Sequence, residues 1–172
     1  MNPCAITWKS GFLTSLRFSR KSLMLDGWFS ETFPELSRAR RLEFVFDSWE
    51  LPRADRAAVD ALQSLAEQYQ DCPGLMAGLW LYAGDWEESH HICQSDESPT
   101  GSWWHAIVHR YEGDMFNSLY WYRRVGDHPV RSQLNFDPQK LVEYIGSNCK
   151  ENAHFQREEF LTLLQWCVEN RK

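Results

Sequence analysis

The sequence predicts an all-α fold, and three observations carry that prediction. Between Ala54 and Gln70 the apolar residues Ala58, Val59, Leu62, Leu65, Ala66 and Tyr69 return at steps of three and four, which places them on one helix face. Nowhere does the chain sustain the period-two alternation of a half-buried strand. A third observation is an internal repeat at 29 residues, Ala77 to Ala106. The segment Ala77-Gly78-Leu79-Trp80-Leu81-Tyr82-Ala83-Gly84-Asp85, followed by Trp86-Glu87-Glu88-Ser89, is echoed by Ala106-Ile107-Val108-His109-Arg110-Tyr111-Glu112-Gly113-Asp114, followed by Met115-Phe116-Asn117-Ser118. Ala, Tyr, Gly, Asp and Ser recur in register, as a helix, a tight turn and a second helix require.

The elements follow in order. Residues 1–25 carry Lys9, Arg17, Arg20 and Lys21 without an acid, a bias shared by organellar presequences and by frayed leaders. Residues 1–33 are expected to form a loosely structured leader, and 34–172 one helical domain. Pro34 suits a first helical turn, and Leu36, Ala39, Leu42, Phe46 and Trp49 continue at helical spacing, so a helix is expected over 34–49. The amphipathic helix 54–70 ends at Pro73-Gly74. The first hairpin spans about 75–95 and the second about 102–125. Asp85 and Glu88, then Asp114 and Asn117, have the spacing of a capping box, in which side chains bond the free amides of a helix start. A loop is expected over 127–135. Asp137 and Pro138 then open a short helix with Leu141, Val142 and Ile145, and a last helix over 155–169 turns Phe160, Leu163, Leu164 and Cys167 inward.

Length and charge bound the function. A chain of 172 residues buries roughly two-thirds of its unfolded surface in a single core, without needing disulfides or a structural metal. A formal charge of −6 argues against nucleic acid, whose phosphates call for a concentrated basic face. The five cysteines are scattered with no C-x-x-C pair, which reads as reduced thiols in a cytoplasmic protein. No stretch approaches the roughly 18 apolar residues of a membrane span, so no membrane partner is expected.

The Gly-Asp turn, followed by an aromatic or apolar residue and a small residue, at Gly84-Asp85-Trp86 and Gly113-Asp114-Met115, resembles the tetratricopeptide repeat. That resemblance implies stacked helical hairpins with a ligand groove. The present spacing is shorter than that family's roughly 34 residues. The stretch from Gly101-Ser102-Trp103-Trp104-His105 to Val108-His109-Arg110, with Tyr120-Trp121-Tyr122-Arg123-Arg124-Val125-Gly126-Asp127-His128-Pro129, is also similar to a motif of small helical proteins. It brings no assigned catalytic residue with it.

Superposing the repeats exposes the candidate chemistry. Met76 and Trp80 on the first arm correspond to His105 and His109 on the second. Four residues apart, these imidazoles leave the same helix face. With His90 and a carboxylate such as Glu112 they are ligand types that suit zinc or non-haem iron. The Glu beside the first His that marks a metalloprotease helix is missing. The plainest reading is packed histidines bonded to nearby carboxylates, and no metal or other cofactor is assigned. Residues 74–100 hold acids and no Lys or Arg, whereas 101–131 hold Arg110, Arg123, Arg124 and Arg131. Arg110 is the candidate for holding an anion through its planar fork.

The expected function is binding of a small polar or anionic molecule, or a peptide, in a groove between the hairpins. Glu88, His90, His105, His109, Arg110, Asn117 and Arg124 form its polar lining. One alternative is an enzyme, metal-assisted or not, in which His105 or His109 serves as base or ligand and Arg110 binds the substrate. Another is a purely structural module.

Overall fold

The computed structural model describes residues 20–40, 53–144 and 149–171. Among them every regular element is helical: α1 Arg20–Thr32, α2 Pro34–Ala39, α3 Arg56–Tyr69, α4 Pro73–Ala83, α5 Trp86–Ser95, α6 Pro99–Tyr111, α7 Met115–Val125, a 3₁₀ turn Pro129–Gln133, α8 Pro138–Tyr144 and α9 Cys149–Glu169. None of these helices is long and apolar enough to cross a membrane.

α4 is apolar around its whole circumference, and such a helix can only sit inside. It packs against α3, α5, α6 and α9, with Leu75, Ala77, Leu79, Leu81 and Tyr82 removed from solvent. Of the helices around it, α3 and α5 are amphipathic, whereas α6 and α9 carry unbroken buried runs, 101–108 and 156–164. α3 turns Ala58, Leu62 and Tyr69 inward and starts on Asp55, whose carboxylate accepts from the Ala58 amide at 3.0 Å. α6 starts on Ser98, whose hydroxyl accepts from the Gly101 amide at 3.0 Å.

The two repeats fold alike. Gly84 (φ 85°) and Gly113 (φ 78°) end their helices in the left-handed conformation, which glycine adopts without the Cβ penalty. Asp85 then accepts from the Glu88 amide at 3.2 Å, and Asp114 from the Asn117 amide at 3.0 Å. Ser89 Oγ donates to the Ala77 carbonyl at 2.8 Å, and Ser118 Oγ to the Ala106 carbonyl at 2.8 Å. Small residues at these four positions let each pair of helices approach closely enough for that bond. α6 packs on both α5 and α7, so the hairpins lie side by side with α6 at their junction.

Several expectations are corrected. Residues 20–33, placed in a loose leader, form α1 and its exit, with Leu25, Phe29 and Phe33 buried. Burying each such side chain contributes about 1.5–3 kcal/mol, and α1 is further pinned to α9 by Lys21–Glu158 at 3.0 Å and Arg157–Asp26 at 2.7 Å. The domain boundary at residue 34 therefore does not hold. Pro73-Gly74 opens α4 rather than closing α3, as a proline at a first turn can. The helix expected over 34–49 is described only as α2; positions 41–52 lie outside the described residues, as do 1–19. The loop after Gly126 contains a 3₁₀ turn capped by His128, whose Nδ1 accepts from the Val130 amide at 3.2 Å. The last helix, expected over 155–169, begins earlier, at Cys149.

Candidate functional site

Three of the sequence-predicted residues converge. His90 comes from the middle of α5, and His105 and His109 from one face of α6, one turn apart. One ring nitrogen from each lies within 4.8 Å of the other two. His105 and His109 stack with centroids 4.7 Å apart and planes 14° from parallel. His90 meets both edge-on, at 4.7 and 5.2 Å. Trp121 of α7 stacks on His105 at 4.0 Å and 21°.

The hydrogen bonds define what these rings can do. His109 Nδ1 stands 2.7 Å from Glu112 Oε2, so the carboxylate fixes a proton on Nδ1 and leaves the Nε2 lone pair free. His90 Nε2 and His105 Nε2 face each other at 2.9 Å. A single proton satisfies that contact, with one ring donating and the other accepting. His105 is buried, and its Nδ1 has no hydrogen-bond partner, a costly state for an enclosed polar atom.

Burial favours the neutral ring, the state a metal requires, at His105 and His90. His105 is pushed down to about 3 by desolvation, then by its neighbours His109 and His90. His90 is lowered by desolvation, which outweighs the opposing pull of Glu112. Nitrogens on one tetrahedral zinc stand roughly 3.3 Å apart. The observed spacings, 2.9 Å for the closest pair and 4.8 Å at most, bracket that value. Nearby Cys93 is a poor thiolate: its Sγ donates to the His90 carbonyl at 3.4 Å, and burial pushes it up to about 12.

The other wagered residues lie elsewhere. Arg110 is wholly buried and turned into the core, where its Nη1 donates to Glu159 Oε2 at 2.7 Å and to the Tyr122 hydroxyl at 2.8 Å. Burial opposes its charge, but Glu159, then Tyr122, hold it protonated more firmly than usual. It is therefore a core ion pair and cannot meet a substrate. Asn117 is spent on the α7 cap, its amide group donating to Asp114 Oδ2 at 2.7 Å. Glu88 is exposed on α5. Arg124 is exposed over the Trp121 and Tyr120 rings, at 5.0 and 5.9 Å, and reaches the imidazoles only through Trp121.

Two residues escaped the list of site candidates. Glu112 was noted as a ligand type, and its spacing of three from His109 was a readable signal for a helical pair. Glu159 gave no signal, because its partners lie 37 to 56 residues away in sequence. A shallow depression of about 410 Å³ lined by Arg131, Leu134, Asn135, Phe136, Asp137 and Pro138 lies elsewhere and involves none of the three histidines.

No protein-family model, curated protein sequence or solved structure matches this chain. The functional reading therefore rests on the geometry of its own residues.

Proposed function

We propose that this chain is a metal-binding helical domain in which His90, His105 and His109 hold one divalent transition-metal ion, zinc being the best fit to three imidazoles. The observation that carries the reading is the convergence of three imidazoles from two helices, one of them backed by a carboxylate. Metal-ligating histidines commonly give their second ring nitrogen to such a partner, and Glu112 occupies that place on His109. A metal also removes the awkward His90–His105 contact, since each Nε2 then bonds the ion instead of competing for one proton. Support for treating the hairpins as tetratricopeptide-like comes from the recurrence of their caps and of their cross-helix serine bonds. The free thiols Cys72, Cys93 and Cys167 favour a reducing, cytoplasmic setting.

This reading puts a metal ion at the junction of the hairpins, where the sequence led us to expect a small polar or anionic molecule or a peptide. The test is equilibrium dialysis of tag-free protein against zinc. Wild type is expected to bind one ion per chain, and His90→Ala, His105→Ala and His109→Ala each to abolish stoichiometric uptake. Glu112→Gln is expected to weaken affinity by about 10- to 100-fold. Zinc uptake below one per chain in wild type, or unchanged in the three alanine variants, contradicts the assignment.

A further inference from the structure

We infer that an ion held by these three imidazoles keeps one coordination position open, and that this position takes a small anion in exchange for water. The inference rests on the metal reading above and adds to it the class of ligand that the loaded site receives.

The first argument is a survey of donors. A closed structural zinc site has four protein ligands, whereas three leave a position for an exchangeable one. Each further candidate around the imidazoles is already committed. Glu112 is bonded to His109 Nδ1 at 2.7 Å, on the far side of that ring from its free nitrogen. The Cys93 thiol donates to the His90 carbonyl. Asp114 accepts from both the amide and the side chain of Asn117. Among the described residues the three histidines are the whole cluster.

The second argument is charge. Three neutral imidazoles bring no negative charge to a dication, and the His105 ring lies inside the protein, where an uncompensated charge is costly. Glu112 offsets one unit. The second is offset by hydroxide or by another small anion at the open position, for which binding is then charge-assisted.

Access sets the size of that ligand. Trp121 lies flat on His105 and closes that side. The His109 side chain keeps 12% of its exposure, and His90 is only partly buried. Solvent therefore reaches the cluster along the edge where α5 meets the C-terminal turn of α6. The small exposure left there suits an ion of a few atoms better than a larger substrate.

The experiment is cobalt(II) substitution of the full chain, with azide as the probe. Cobalt in a low-symmetry site of three imidazoles and one water absorbs visibly. Azide is expected to change those bands saturably as it displaces the water. Apparent azide affinity is also expected to fall by about tenfold per pH unit once the bound water ionises, because hydroxide competes for the same position. Cobalt bands that ignore azide overturn the inference while leaving the metal site standing. If azide sensitivity emerges only in Glu112→Gln, Glu112 is the fourth ligand and the inference is again overturned. Absence of any stoichiometric cobalt spectrum in wild type means that the metal site itself fails, and the open position with it.

Discussion

In the first hairpin the positions Met76, Trp80, Leu81 and Cys93 are filled by an apolar surface; 29 residues later the same places hold His105, His109, Arg110 and Tyr122. The frame around them is unchanged, down to one serine hydroxyl in each copy donating to an alanine carbonyl at 2.8 Å. What separates the hairpins is that the second carries polar groups at these places, and it satisfies them in two ways. Arg110 and Tyr122 are answered by Glu159, which also accepts from Trp103 Nε1 at 2.7 Å. His105 and His109 find only each other, His90 and Glu112. A buried ion pair ties helices together in the core, whereas imidazoles gathered at a partly exposed junction are where an ion can be bound.

The largest expected effect comes from opening the closed network. Arg110→Leu restores the first hairpin's residue but strands the Glu159 carboxylate, and should cost about 3–5 kcal/mol in urea unfolding. Adding Glu159→Gln removes the buried charge while keeping an acceptor for Trp103 and Tyr122. The double variant is expected to recover at least half of the loss. If the two changes simply add, the pair does not act as a unit.

Acid should act on the second hairpin and its exit more than on the first. His105 is pushed to about 3, and His128 to about 4, both chiefly by desolvation, against about 6.5 in an unfolded chain. Both folded values lie below the unfolded one, so between these limits the unfolded state binds more protons and stability rises with pH. Stability is therefore expected to be level above about pH 7 and to fall below pH 6.5, by up to about 1.4 kcal/mol per pH unit for each histidine. That decline ends near pH 4 for His128 and near pH 3 for His105. Measured without metal, His105→Met should make the acid limb shallower by about one proton. An unchanged slope means that His105 is not buried neutral.

The smallest effect tests the likeness of the hairpins rather than their difference. Ser89→Ala and Ser118→Ala each remove one buried hydroxyl bond, worth about 1 kcal/mol. The two losses should agree within about 0.5 kcal/mol. Unequal losses in thermal or urea unfolding would show that the frame is not shared.

The frame was the most legible part of the sequence, because its signals are local. Gly84 and Gly113 mark the turns, Asp85 and Asp114 the caps, and a spacing of four puts His105 and His109 on one face. The addition of His90 followed less directly, since its ring crosses from another helix. Arg110 was misread because nothing near it in sequence announces Glu159. The run from Gln156 to Leu164 is buried without a break, so periodicity offered no exposed face from which to judge where that carboxylate points. α1 was missed for a related reason: Leu25 and Phe29 share a face, but exposed Leu23 and Met24 blur the apolar stripe on which a helix is recognised.

The most direct test of the account is zinc K-edge absorption of the zinc-loaded, tag-free protein. It should show three imidazole nitrogens at about 2.0–2.1 Å and one further light-atom ligand, a spectrum that is lost in His90→Ala, which no longer holds the ion. A sulfur shell at about 2.3 Å, or a spectrum identical in wild type and His90→Ala, would contradict it.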